Sequence, residues 1–149
     1  MASPWRLRSF LVALVGGVAY YLLLDVVYYH APYADMPHGW REHLPSAPVA
    51  VFIWFTLVNL GGALLAAIPV SIGIICTTKS HRASVGFVAG AAPAAVILVS
   101  GFLEYGVPHR LIAWMVDVAQ YVSIAVAVVA VIALLGRSPL TIVGEDRDG

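Results

Sequence analysis

"VAVFIWFTLVNLGGALLAAIPVSIGIIC" runs from Val49 to Cys76 without one Asp, Glu, Lys or Arg. A helix needs about 20 residues to cross a hydrocarbon core about 30 Å thick. A membrane strand needs only about 9–11 residues, and its polarity alternates. This run is longer than either and does not alternate. In lipid a segment must satisfy its own backbone N–H and C=O groups, so the run is expected to be a helix.

Three more runs of the same kind flank it. They are "FLVALVGGVAYYLLLDVVYY" (Phe10 to Tyr29), "VGFVAGAAPAAVILVSGFL" (Val85 to Leu103) and "LIAWMVDVAQYVSIAVAVVAVIALL" (Leu111 to Leu135). The expected fold is all-α: a polytopic membrane protein with four transmembrane helices in a bundle. It is one membrane domain over 1–149, with helices at about 9–29, 48–76, 84–104 and 109–136. Residues 30–47 form an external loop and 137–149 a cytoplasmic tail.

The whole-chain composition agrees. Of 149 residues, 61% are hydrophobic and 11% charged, and the mean hydropathy is +0.91. A soluble domain carries roughly 25% charged residues to wet its surface. Zero net charge gives no generally basic face for nucleic acid. The single cysteine, Cys76, excludes a disulfide within one chain and is read as a buried, inert thiol. Arg6 and Arg8 resemble the basic start of a signal peptide, but the apolar run after them is too long and lacks a directly following A-x-A site. It is read as a retained helix.

Lys and Arg set the orientation. With the N-terminus cytoplasmic, the inner segments hold Arg6, Arg8, Lys79, Arg82, Arg137 and Arg147, while the outer loops hold only Arg41 and Arg110. Both termini are therefore expected in the cytoplasm of a cell with the chain in its inner membrane. The short "TTKSHRAS" and "EYGVPHR" connections make helices 2 and 3, and helices 3 and 4, expected antiparallel neighbours.

The outer loop contains "HAPYADMPHGWREH", His30 to His43. His38 and His43 are five apart, a poor spacing for two ligands on one helical face. The loop reads instead as a wet connection with one short turn over "HGWREHL". Tyr28, Tyr29, Tyr33 and Trp40 would make an aromatic belt at the headgroups.

Polar residues inside the helices carry more information. Asp25 lies 17 residues from Arg8, about 25 Å along a helix. Glu104 and Asp117 fall at similar distances from the inner ends of their helices, so the three acids are expected in one layer near the outer face. Asn59 is placed near mid-depth, and Gln120 one turn from Asp117. Tyr21 and Tyr121 stand four residues from Asp25 and Asp117 and could donate hydrogen bonds to them. Asp25 and Asp117, each bracketed by apolar residues, are candidates for one cavity with a shared proton.

Packing signals are small residues. Gly86, Gly90 and Ala94 recur every four residues on helix 3 and allow close backbone approach, so helix 3 is expected to be the most enclosed. Gly16-Gly17 and Gly61-Gly62 are flat spots on helices 1 and 2, and Pro69 and Pro93 are expected kinks. A faint echo between "LLLDVVYYHAP" and "SGFLEYGVPH" would suit two parallel helical hairpins.

No nucleotide, hydrolase or cysteine motif is present. The expected function is non-enzymatic: an accessory or structural subunit of a membrane complex, or a transport-type protein with an outward-facing polar layer. No cofactor is expected in this reading. The implied partners are the lipid bilayer and further copies or a larger complex. The alternative is a redox subunit in which His30 and His109, flanking the acid layer, ligate haem b or a transition metal.

Overall fold

A computed structural model describes residues 4–30, 36–37, 39–79, 81–106 and 111–136. The described residues form four long helices: α1 Pro4–His30, α2 Ala47–Thr77, α3 Arg82–Tyr105 and α4 Leu111–Leu135. A single short 3-10 helix, Trp40–His43, precedes α2. Each long helix carries a span long and apolar enough to cross a membrane. The chain is thus an all-helical, multi-pass membrane protein by its architecture. Pro48 sits in the first turn of α2, where its missing N–H costs nothing. α2 and α3 run on through Pro69 and Pro93.

The helices occupy the corners of a square. Its edges are α1–α2, α2–α4, α4–α3 and α3–α1, while α1 and α4 lie on opposite corners. α2 and α3 touch only slightly across the other diagonal, so they are not the full-length neighbours their short connection suggested. The small face of α3 is already taken: Gly86 and Gly90 face α4, and Ala89 faces Gly17 of α1. α3 is also not uniquely enclosed, since 33% of the apolar span is buried in both α3 and α4. A two-fold along the bundle would put α1 and α3 on a diagonal, and they share an edge instead. The internal echo therefore does not correspond to that symmetry.

The core is made of small and branched side chains: Ala63, Ala66, Ala67, Ala89, Ala127 and Val128 are almost wholly covered. Lipid offers no hydrophobic drive for helix association, so close backbone approach and polar contacts must hold the helices together. The tightest approach is at Gly90, where a Cβ would stand 2.5 Å from the Ala125 carbonyl oxygen. Three hydroxyls add interhelical bonds to backbone. Tyr20 Oη reaches the carbonyls of Ala63 (3.1 Å) and Ile124 (3.2 Å), Ser71 Oγ donates to Val128 O (3.2 Å), and Tyr28 Oη to Asn59 O (3.1 Å).

Among the described residues the two ends of the bundle differ in charge. At one, Arg8 donates to Thr77 O (3.1 Å) and Arg82 to Thr78 O (2.7 Å). Guanidinium groups from α1 and α3 thus cover carbonyls at the C-terminus of α2, where the helix dipole is negative. Lys79 is exposed beside them. This basic end stands opposite an acid end bearing Asp25, Glu104 and Asp117. Cys76 is exposed on α2, not buried; an apolar helix leaves no periodicity from which to read its lipid-facing side.

Candidate functional site

Hydrogen bonds and close approaches fix the depth of each polar residue. Ser71 meets Val128 across the parallel pair α2–α4, so Asn59, 12 residues earlier, is level with Val116 and Asp117. Gly17 rests on Ala89, and Gly90 rests on Ile124 and Ala125. From that plane Asp25 and Asp117 each lie about 11–12 Å toward the acid end. Asn59 therefore belongs to the level of the two aspartates and not to mid-depth. Glu104 lies 14 residues beyond Gly90, about 21 Å, and so stands beyond the level of the aspartates.

Depth does not bring the aspartates together. Asp25 is exposed on α1, at the corner opposite α4, and Tyr21 is exposed on the same helix. The expected shared cavity of Asp25 and Asp117 does not form. Instead Asp117 and Glu104 line one cleft of about 410 Å³ between the end of α3 and the start of α4. Tyr121, Ser100, Tyr105 and Trp114 line it too, and the Trp114 ring packs on Phe102 with centroids 6.0 Å apart. The Tyr121 hydroxyl lies over Gly101, 3.4 Å from where a Cβ would be. Gly101 thereby makes room for the phenol, a role no spacing in the sequence announces.

Asp117 also borders a wider opening of about 920 Å³ between the starts of α2 and α4, walled by Val51, Phe55, Ile112 and Val116. It is half-buried, as is Gln120 one turn below it. Residues 102–106 and 111–115 around it are all exposed, although Phe102 and Trp114 cover part of each other. Chemically, the cleft offers two carboxylates as acceptors, hydroxyl donors and aromatic faces, a set able to hold a proton or a cation.

The remaining sequence candidates fall in other places. Gly86, Gly90 and Ala94 are buried on α3, and the two glycines meet α4. His109, Tyr33 and His38 lie outside the described residues, as does the side chain of His30. Among the described residues no group of three or more His, Cys, Asp or Glu comes together. The histidine-bearing loop does contain a short turn, Trp40–His43, and Trp40 meets Trp54 edge-on at 5.6 Å. Tyr28 turns inward to Asn59 and is not part of a surface belt.

No family model, curated protein or solved structure matches the chain.

Sequence reading missed the hydroxyls that tie the interior. Tyr20 is fully buried while its neighbour Tyr21 is 42% exposed. Tyr21 stands four residues from Asp25, but a spacing along one helix says nothing about which face meets the bundle. The small residues at 13, 16 and 17 lie on the buried side of α1 with Tyr20, and these three positions were the available signal.

Proposed function

We propose that the chain is a non-enzymatic, multi-pass membrane protein that works as a subunit. It is either an accessory component of a larger membrane complex or a transport-type protein that acts as an oligomer. In this reading it spans the inner membrane with both termini cytoplasmic, and its acid end faces outward. The observation that carries the reading is the closed interior. Below the acid end, alanines, valines and the Tyr20 ring fill the space between the helices, and Tyr20 is 0% exposed. Its hydroxyl is directed to main-chain carbonyls on α2 and α4. Among the described residues, the buried Ser71 and Ser123 hydroxyls are likewise directed to main-chain carbonyls, so this part of the core is not built as a polar path between the two ends. A polar layer that this core does not continue is useful where another chain continues it.

Two experiments test this. A reporter fused after Gly149 is expected to behave as cytoplasmic and one inserted at Gly39 as external; both on one side would overturn the topology. Purification in mild detergent and in nanodiscs, with mass measured by light scattering, is expected to give an oligomer or a defined complex. A bare monomer in both, with nothing co-purifying, would overturn the subunit reading.

A further inference from the structure

The acid end does not exhaust the molecule. An apolar groove of about 440 Å³ runs along the α1–α2 edge. It extends from Leu23 to Leu11 on α1 and ends at Thr77 on α2. Twelve residues of helix span about 18 Å, close to the half-thickness of a hydrocarbon core, about 15 Å. Gly16 and Ala19 on one wall and Gly73 on the other leave it without bulk, and a Cβ at Gly73 would meet nothing within 4 Å.

The groove is polar only where it ends. There the Arg8 guanidinium is held on Thr77 O by one Nη2 contact at 3.1 Å. Arg82 is anchored through Nε to Thr78 O (2.7 Å). Lys79 is exposed nearby. Among the described residues no Asp or Glu lies at this end to neutralise the three cations.

We propose that this groove is a binding site for one acyl chain of an anionic phospholipid, whose phosphate is held by Arg8 with support from Arg82 and Lys79. The length of the groove suits the tail, its blind apolar walls need no polar partner, and the charge at its mouth complements the headgroup. Arg8 is pre-positioned by its bond to Thr77, so little side-chain freedom is lost when the phosphate arrives. A free phosphate would lack the apolar part of the site.

Native mass spectrometry of the full-length chain, released from detergent with added dioleoyl-phosphatidylglycerol or dioleoyl-phosphatidylcholine, tests the site. Phosphatidylglycerol is expected to bind at least about tenfold better. Each cation near the surface contributes about 1 kcal/mol, so Arg8→Gln should cost about fivefold for phosphatidylglycerol, with a smaller loss for phosphatidylcholine, whose choline cation already offsets the attraction of its phosphate. Arg8→Lys should restore part of it. Gly73→Leu puts a side chain into the groove from a position whose Cβ meets nothing within 4 Å and should lower the binding of both lipids while thermal stability holds. If it fails to fold, the Arg8 pair alone decides. Equal binding of the two lipids, or an unchanged preference in Arg8→Gln, would overturn the proposal. So would a Gly73→Leu protein that folds and binds both lipids as before. Two other occupants have their own signatures. If the acidic C-terminal residues fill the basic mouth, Glu145→Gln with Asp146→Asn and Asp148→Asn would raise phosphatidylglycerol binding sharply; no change is expected. If a second copy fills the groove, Gly73→Leu would dissolve a dimer and leave lipid binding as it was, which also refutes the lipid site.

Discussion

The lower two-thirds of the bundle and its acid end are built by opposite means. In the lower part, α3 meets α4 through glycine against backbone, α1 meets α3 through Gly17 on Ala89, and hydroxyls close onto carbonyls. At the acid end the last residues of α3 and the first of α4 are exposed, and Glu104 and Asp117 line the cleft between them. The difference shows where a membrane bundle keeps its polar side chains. A carboxylate cannot be placed where backbones touch, and in hydrocarbon it is expensive unless water or a partner reaches it. Charge therefore collects where packing stops. Among the described residues nothing closes the acid end, and the proposal of a partner there builds on that opening.

The largest effect that would sharpen this contrast comes from Gly90. A side chain there meets the Ala125 carbonyl oxygen, which is backbone and cannot move aside. Gly90→Leu should therefore force α3 from α4 and cost about 3 kcal/mol, read as a fall in Tm in detergent. Gly61→Leu is the matched control, since a Cβ at Gly61 meets nothing within 4 Å, and its Tm should hold. Equal losses would mean that the α3–α4 contact is not what holds the bundle. Gly86 is intermediate. Its added Cβ would stand 2.6 Å from Ile132 Cδ1, the far end of a flexible side chain. Gly86→Ala should cost about 1 kcal/mol, because Ile132 can yield at the price of a poorer rotamer.

Next comes the pair of adjacent tyrosines. Tyr20→Phe removes the hydroxyl shared between Ala63 O and Ile124 O. Interhelical hydrogen bonds inside membranes average about 0.6 kcal/mol, so the loss should be of that order. Tyr21→Phe, on the exposed side, should show none. If the two variants lose equally, the rotation of α1 about its axis is wrong.

That pair also marks the boundary of what a sequence of this kind reveals. Four helices long and apolar enough to cross a membrane are legible in their length and lack of charge. Which side of a helix faces its neighbours is not. Val49–Cys76 is apolar all round, so no polar face marks an outside, and the usual amphipathic signal is missing. Cys76, expected buried, is exposed for that reason. The Gly86, Gly90 and Ala94 spacing is visible, but the sequence does not name α4 as the helix it meets. A short connection likewise did not make α2 and α3 close neighbours; the small face of α3 meets α4 and α1 instead. Of the candidate site, the residue types and approximate depths of Asp25 and Asp117 can be read. Their separation cannot, since it depends on α1 and α4 taking opposite corners.

The smallest effect tests that separation directly. Asp117 shares its cleft with Glu104 and is set apart from Asp25 by the width of the bundle. Where both carboxylates are ionised, neutralising either one relieves the same repulsion. The double variant Glu104→Gln with Asp117→Asn should then gain less than the sum of its single variants, by about 0.5 kcal/mol, the low end for residues that interact. Lowering the pH until both groups are protonated removes the repulsion, so the non-additivity should vanish in acid. Asp25→Asn with Asp117→Asn should add within about 0.3–0.5 kcal/mol at every pH, as distant sites do. Thermal unfolding in one detergent across a pH series measures both cycles. Coupling of Asp25 to Asp117, with none between Glu104 and Asp117, would place α1 against α4 and dismantle the square arrangement. Coupling in neither cycle would mean that water in the cleft screens Glu104 from Asp117, leaving three independent acids at one end of the bundle.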